Sequence, residues 1–164
     1  MPAGITTPIT IQAAIAISGR SQRTWWRRIE GGAVRKLTPD ARGRARIALE
    51  DVLALVDCGL APADQILLAA ADAGDAGAQS DIGELFLASG RCEAGRYWLE
   101  QAAGQGHPNA MQSLSHCYLA GRGAPRNEHM AIRWLAEAAA RGHMIAAAQM
   151  RTLCQAFLAG RPAA

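Results

Sequence analysis

Three side chains near the N-terminus, Gln22, Arg23 and Arg27, have the chemistry needed to read the edges of DNA bases. An arginine guanidinium can bond O6 and N7 of guanine together, and a glutamine amide can pair with the edge of adenine. All three fall in one short segment, so a single helix can carry them into a major groove. We predict that they contact bases.

Further side chains in the same region can bind phosphates or the minor groove. Trp26 adjoins a second tryptophan, which favours a packing role, although its indole N–H can also donate to a phosphate. The predicted backbone-contacting residues are Arg20, Ser21, Thr24, Trp26, Arg28, Arg42 and Arg44.

The basic residues are concentrated in one part of the chain. Residues 18–46 hold nine of the 17 lysines and arginines and two acids, whereas residues 57–164 hold eight bases and ten acids. A cationic patch on a small module is typical of nucleic-acid binding, and a solvated charged surface is the alternative.

The elements that must position these side chains follow from local signals. Thr10 can cap a helix over residues 11–17, and Gly19 suits the left-handed turn at its end. Ser21 can cap a second helix that ends at Glu30, before two glycines. Two short helices joined by a tight turn predict a helix-turn-helix.

A basic hairpin is predicted next. Residues 34–37 and 45–48 read as strands around a turn with Gly43 at its tip, and residues 49–56 read as a closing helix. A hairpin beside a recognition helix forms a wing, which can bring the arginines flanking Gly43 to the DNA backbone.

The run from Ser18 to Gly32, followed by Gly43-Arg44-Ala45-Arg46, resembles the winged helix-turn-helix of bacterial MerR, excisionase and AlpA-type regulators. Residues 24–29, Thr-Trp-Trp-Arg-Arg-Ile, match that family's Thr–apolar–aromatic–Arg–x–Ile core. Arg28, where the family often has an apolar residue, and the insertion at 38–41 depart from the pattern. The resemblance implies binding of double-stranded DNA and regulation of transcription.

A repeat occupies the rest of the chain. Residues 78–86 recur 32 positions later at 110–118, and residues 98–107 recur 36 positions later at 134–143. The two offsets predict paired helices with a loop four residues shorter in the first unit. Residues 62–72 read as a partial leading unit, and residues 151–159 as a closing helix.

The marks Ala-x-x-x-Leu-Gly-x-x-Tyr and Trp-x-x-x-Ala-Ala-x-x-Gly resemble Sel1-like repeats, which are helical hairpins related to tetratricopeptide repeats. Ser115 replaces one usual glycine. The resemblance implies contact with a protein through a concave surface, although a short array can also hold a dimer together. The predicted fold is mainly α: a winged helix-turn-helix domain over residues 1–57, then a short Sel1-like α-solenoid over 60–164.

Several classes of function are disfavoured. The sequence has no CxxC pair, zinc-ligand spacing, phosphate-binding glycine loop or nucleophile motif, so we expect no metal, no cofactor and no enzyme activity. His107 and His143 follow glycines at equivalent repeat positions and are interpreted as structural. The four cysteines are expected to be reduced and mostly buried. The first apolar stretch is too short to span a bilayer and no basic leader precedes it, which predicts a cytoplasmic protein.

We predict a transcription regulator. The resemblance to AlpA-type regulators implies positive control, with the repeats contacting RNA polymerase and altering termination. Dimerisation or paired DNA sites is expected, because one chain carries one small reading module. An excisionase-like DNA-bending factor is an alternative, although such proteins are small and lack repeats. An interaction adaptor whose basic head contacts an acidic protein or RNA is another.

Overall fold

The computed structural model describes residues 6–56 and 59–159. The chain divides into two compact units, Met1–Asp75 and Ala76–Ala164. This division falls later than the predicted domain boundary, so the helix at Pro62–Ala73, which the sequence assigned to the repeats, belongs to the first unit. Residues 57 and 58 at the predicted boundary lie outside the described residues.

The first unit combines short helices with a small sheet. Its three antiparallel strands are hydrogen-bonded in the order β1-β3-β2. Ile47 on the central strand pairs with Ile9 of one neighbouring strand and with Lys36 of the other. The elements are β1 Pro8–Thr10, α1 Ile11–Ser18, α2 Gln22–Glu30, β2 Lys36–Leu37, β3 Arg46–Ala48, α3 Leu49–Leu55 and α4 Pro62–Ala73.

The predicted helix ends of the first unit are confirmed. The Thr10 hydroxyl accepts a hydrogen bond from the Ala13 amide at 3.2 Å, and the Ser21 hydroxyl accepts one from Thr24 at 3.3 Å. Gly19 adopts the left-handed conformation, with φ of 65°. The two helices and the turn between them therefore lie where the capping residues predict.

The strands differ from the sequence prediction. Strand β1 has no counterpart in it, and β2 and β3 are shorter than the predicted 34–37 and 45–48. The sheet matters because its central strand supplies Ile47 to the core. The large side chains buried with it are Ile9, Ile17, Trp25, Leu49 and Leu68.

The second unit consists of paired helices that repeat along the chain. The α5–α6 turn spans residues 89–91, whereas the α7–α8 loop spans 121–127, so the four-residue difference lies where the two sequence offsets predict. The helices are α5 Ala76–Ala88, α6 Cys92–Gly104, α7 Pro108–Ala120, α8 Glu128–Ala140 and α9 Met144–Ala159. The predicted closing helix is the second half of α9, because no glycine or proline interrupts residues 144–159.

The longer α7–α8 loop is anchored to the preceding helix pair. Arg122 donates to the carbonyl of Leu87 at 2.7 Å, and Arg96 donates to the carbonyl of Gly123 at 2.8 Å. Gly123 has φ of 74°, and a Cβ there would lie 2.3 Å from the carbonyl oxygen of Cys92. Only glycine satisfies both constraints, so the loop packs closely on the start of α6.

The two repeat histidines, which were interpreted as structural from their equivalent positions, cap helices. Nδ1 of His107 accepts from the amide of Ala110 at 3.4 Å, and Nδ1 of His143 accepts from Ala146 at 3.1 Å. Each ring thus serves the first turn of the following helix at the same position of its repeat.

Three cysteines of the described residues are free thiols. Cys117 is buried, and this burial raises the pKa of its thiol to about 11. Cys92 is half-buried, but Cys154 is exposed, contrary to the expectation of mostly buried thiols. Cys58 lies outside the described residues. Within 6–56 and 59–159, no helix is both long and apolar enough to cross a membrane.

Candidate nucleic-acid interface

The orientation of α2 is fixed by its apolar side. Trp25 is fully buried and Ile29 is half-buried, so both hold the helix against the core. Gln22, Arg23 and Arg27 are exposed on the remaining surface. The structure therefore brings the three predicted base-contacting residues to the outside of one helix.

The arginines on this outer surface are not neutralised by the protein. Arg20, Arg23, Arg27 and Arg42 are exposed, and none forms a salt bridge or side-chain hydrogen bond with another described residue. Their charges therefore remain available to an anionic ligand.

Ser21 and Thr24 serve the start of α2. The Ser21 hydroxyl caps the Thr24 amide, and the two hydroxyl oxygens lie 3.0 Å apart in a mutual hydrogen bond. Both side chains were predicted to contact phosphates. Their hydroxyl groups are already engaged in holding the first turn.

Arg28 and Trp26 have partly structural surroundings. The Arg28 guanidinium lies 5.5 Å from the centre of the Trp25 ring, and its Nη1 is buried without a hydrogen-bond partner among the described residues. Arg28 thus packs on a core ring. Trp26 is half-buried, and Lys36 Nζ lies 5.3 Å from the centre of its ring.

A groove runs beside Trp26. Gln22, Gln12 and Arg44 line it together with the first residues of α1. Trp26 therefore lies at the edge of the exposed α2 surface rather than within the core. This position is intermediate between the two roles that the sequence suggested, packing in the core and contact with a phosphate.

The hairpin loop is organised by Asp40. Its carboxylate accepts hydrogen bonds from the amides of Arg42 at 3.0 Å and Arg44 at 2.8 Å, and from Arg44 Nε at 2.6 Å. Although partial burial opposes the effect, these bonds hold the pKa of the Asp40 carboxyl below its ordinary value. Arg44 also donates to the carbonyl of Asp72 at 3.4 Å.

The two predicted wing arginines are therefore not equivalent. The Arg44 side chain binds the protein itself, whereas the Arg42 side chain is exposed. Sequence reasoning missed Asp40 as the residue that makes this distinction. The available signal was an aspartate two residues before Arg42 and four before Arg44.

Two other basic residues of the region are also engaged. Arg35 forms a bidentate salt bridge with Asp51, with Nη2–Oδ1 and Nε–Oδ2 distances of 2.9 Å each. Arg46 donates from Nε to the carbonyl of Thr38 at 2.8 Å. The cationic surface is consequently smaller than the count of basic residues indicates.

The buried carboxylate of Asp72, on α4, holds the start of α1. Asp72 is 9% exposed and accepts hydrogen bonds from the Thr10 amide at 2.7 Å and the Thr10 hydroxyl at 2.6 Å. Because Thr10 also caps α1, Asp72 fixes the position of that helix start. Nothing in the local sequence pairs residues 10 and 72, and this contact was missed.

Comparisons with known proteins concern the repeats. The Sel1 repeat family profile matches residues 92–107 and 108–143, which lie in the second unit. The chain therefore carries Sel1 repeats in a mainly helical, solenoid-like fold, as the resemblance of its repeat motifs implied. No curated protein sequence matches the chain.

Two solved structures are similar to this chain. A Sel1 repeat protein from Oxalobacter formigenes is 27% identical, with a TM-score of 0.52, over 62% of this chain and 32% of that one. A protective antigen of uropathogenic Escherichia coli with an SLR fold is 27% identical, with a TM-score of 0.48, over 53% of this chain and 20% of that one. The matched part of the chain thus spans about a third and a fifth of these two proteins.

Proposed function

We propose that the first unit binds duplex DNA as a winged helix-turn-helix. In this proposal α2 is the recognition helix, α1 is the supporting helix, and the β2–β3 hairpin is the wing. The element order, with two capped helices joined by residues 19–21 and followed by a hairpin, supports this arrangement.

One observation carries the proposal. The exposed surface of α2 presents Gln22, Arg23 and Arg27 together, and neither arginine is paired with a described residue. Like charges on one exposed helix surface repel each other, and an anion that binds there relieves this repulsion. DNA offers that anion together with base edges that match these side chains.

The contacts can be assigned by position. Gln22, Arg23 and Arg27 lie along α2 and are proposed to reach base edges, where each good contact contributes about 1–3 kcal/mol of discrimination. Arg20, before the helix, and Arg42, in the hairpin loop, are proposed to contact phosphates.

The second unit is proposed to bind a protein partner, the role that its Sel1 repeats suggest. Together the two units constitute a cytoplasmic transcription regulator that brings a bound protein to a DNA site. The resemblance of the first unit to MerR and AlpA-type regulators makes RNA polymerase the first partner to test, with positive control through antitermination as the corresponding mechanism.

The proposal is tested by selecting bound duplexes from a random pool and measuring affinity for the selected sequence and for random DNA. Arg23→Ala is expected to weaken binding to the selected duplex by roughly 5- to 150-fold, equivalent to about 1–3 kcal/mol, and to weaken random DNA less. Arg133→Ala removes the same charge from an exposed position on α8 and serves as the control.

Each alternative function has a distinct outcome. Equal losses on selected and random DNA would remove Arg23 from the base-contacting set. Retention of RNA in preference to duplex DNA, at several salt concentrations, would favour an adaptor. Strong bending of bound DNA without an effect on a promoter would favour an excisionase-like factor. Failure to retain any duplex at moderate salt would reject the DNA-binding proposal.

A further inference from the structure

An apolar stripe on α9 is left uncovered by the described residues of the second unit. Leu153, Phe157 and Leu158 are 46%, 71% and 62% exposed. They line one groove together with Met150 and Cys154 of the same helix and with Ile132 of α8. The five α9 residues of this groove are called the α9 stripe below.

The spacing of the α9 stripe indicates a helical partner. Its residues occupy positions 150, 153, 154, 157 and 158, the i, i+3, i+4, i+7, i+8 pattern of a helix that packs along another helix. The repeat supports the same conclusion, since Leu114 and Cys117, 36 positions before Met150 and Leu153, are buried on the equivalent helix α7. The stripe thus keeps the apolar character of a helix-packing surface while remaining exposed.

The size of this surface suits a dimer. Each exposed Leu, Ile or Phe side chain offers on the order of 100 Å² of apolar area. Ile132, Leu153, Phe157 and Leu158 therefore offer about 400 Å² per chain. A standard interface buries about 800 Å² per partner, of which about two thirds is apolar in homodimers.

The absence of charge on the surface favours a second copy over a partner of opposite charge. Arg151 is the one charged residue of α9, and it is not among the groove-lining residues. Two identical stripes can therefore meet without like-charge repulsion. We propose that the α9 stripe is an interface between two copies of this chain, with the two α9 helices packed antiparallel about a two-fold axis.

This geometry makes Cys154 the central residue. It lies at the midpoint of residues 150–158, so in an antiparallel pair each Cys154 faces its copy. The dimer goes beyond the proposed DNA-binding function and provides two reading units for paired half-sites. Because it is measured without DNA, its failure is distinguishable from a failure of DNA binding.

Sedimentation equilibrium of the full chain tests the interface. The chain is expected to sediment as a dimer, and Phe157→Glu is expected to raise the dimer dissociation constant at least about 100-fold, because it places a carboxylate in the apolar contact. Ile66→Glu is the matched control, since Ile66 is a 74% exposed isoleucine on α4, outside the stripe. Circular dichroism checks that each variant is folded, and Leu153→Glu repeats the test within the stripe.

Cross-linking locates the contact independently. A short bismaleimide is expected to join two wild-type chains through Cys154, and Cys154→Ser is expected to abolish the cross-link. A monomeric wild-type chain, or a dimer that survives both glutamate substitutions, overturns the proposal and leaves the stripe to a different protein. A cross-link that persists in Cys154→Ser also contradicts the proposed geometry.

Discussion

The outer surface of α2 and the hairpin region, residues 35–46, carry the same type of side chain in different roles. On α2, Arg23 and Arg27 project into solvent. In the hairpin region, Arg35 binds Asp51 and Arg44 binds Asp40. One continuous cationic segment therefore contains arginines that hold the protein together and arginines that are free to hold a ligand.

The difference arises from the acids within reach. Helix α2 contains a single acid, Glu30, at its last position. The hairpin contains Asp40, and α3 begins beside it with Asp51 in its first turn. An arginine that lies near a carboxylate in the folded protein forms a salt bridge with it. A count of basic residues therefore overstates the cationic surface that is available to an anionic ligand such as DNA.

The arginines of the repeats resemble those of the hairpin region. Six of the seven arginines in residues 76–159 contact a carboxylate, a carbonyl or an aromatic ring, and they are Arg91, Arg96, Arg122, Arg126, Arg133 and Arg141. Arg23 and Arg27 of α2 differ from this pattern, whereas Arg28 follows it by packing on the Trp25 ring. That contrast is the strongest physical reason to assign Arg23 and Arg27 to an external ligand.

The largest effect on stability is expected for Asp72→Ala, which removes the buried carboxylate beside the hairpin. The Thr10 amide and hydroxyl would each lose their acceptor in a buried position, where an unsatisfied group costs about 1–3 kcal/mol. We therefore expect the free energy of unfolding to fall by about 2–3 kcal/mol. Urea titration followed by circular dichroism measures this change.

Two variants sharpen the Asp72 test. Asp81→Ala removes an exposed carboxylate from α5 and is expected to leave stability within about 0.5 kcal/mol of the wild type. Asp72→Asn keeps one acceptor oxygen and is expected to recover part of the loss. If Asp72→Ala unfolds at the same urea concentration as Asp81→Ala, the proposed structural role of Asp72 is wrong.

The local parts of this fold were predictable from the sequence. Thr10, Gly19 and Ser21 each act within four residues of their own position, so residue type alone indicates their caps and turn. The repeat offsets likewise predicted which loop of the second unit is longer, because equal helices leave only the loops to differ.

The contacts that were missed join distant residues. Thr10 and Asp72 are 62 positions apart, and Arg35 and Asp51 are 16 apart. Such pairs depend on how helices and strands pack, and a single sequence carries no signal for them. Arg42 and Arg44 looked equivalent as wing residues for another reason, because the local signal of Asp40, whose carboxylate binds the Arg44 side chain four residues later, was overlooked.

Substitution of Arg42 and Arg44 tests the distinction between exposed and paired arginines, and the expected effects are of intermediate size. Arg42→Ala is expected to weaken binding to every duplex by several-fold and to reduce the salt slope by about one, because it removes one phosphate contact. Its urea midpoint is expected to match the wild type. Fluorescence anisotropy with labelled duplexes at several salt concentrations gives both quantities.

Arg44→Ala is the matched variant in the same loop. It is expected to lower the urea midpoint, because Asp40 loses its side-chain partner, and to alter DNA affinity less than Arg42→Ala. The reverse pattern, with Arg44→Ala reducing affinity at unchanged stability, would show that Arg44 leaves Asp40 to bind DNA.

The smallest effect is expected for the Arg35–Asp51 pair at low pH. The hydrogen bond from Arg35 holds the pKa of the Asp51 carboxyl below its ordinary value of about 3.9. A lowered pKa in the folded state stabilises the protein above the unfolded value, and this contribution disappears as pH falls through the folded value. Since Arg35 is largely exposed and solvent screens the pair, we expect this contribution to stability to be small.

Asp51→Asn should therefore be slightly less stable than the wild type at pH 6, and the two should converge as the pH is lowered below about 4. Urea titrations at pH 6 and pH 2.5 give the comparison, and 1 M salt at pH 6 should shrink the difference by screening. A difference of equal size at both pH values would mean that the Asn substitution acts through packing. Arg23 contacts no carboxylate among the described residues. The stability difference between Arg23→Ala and the wild type should therefore not shrink as the pH is lowered. The pH dependence of stability thus distinguishes arginines that are paired with a carboxylate from those that are not.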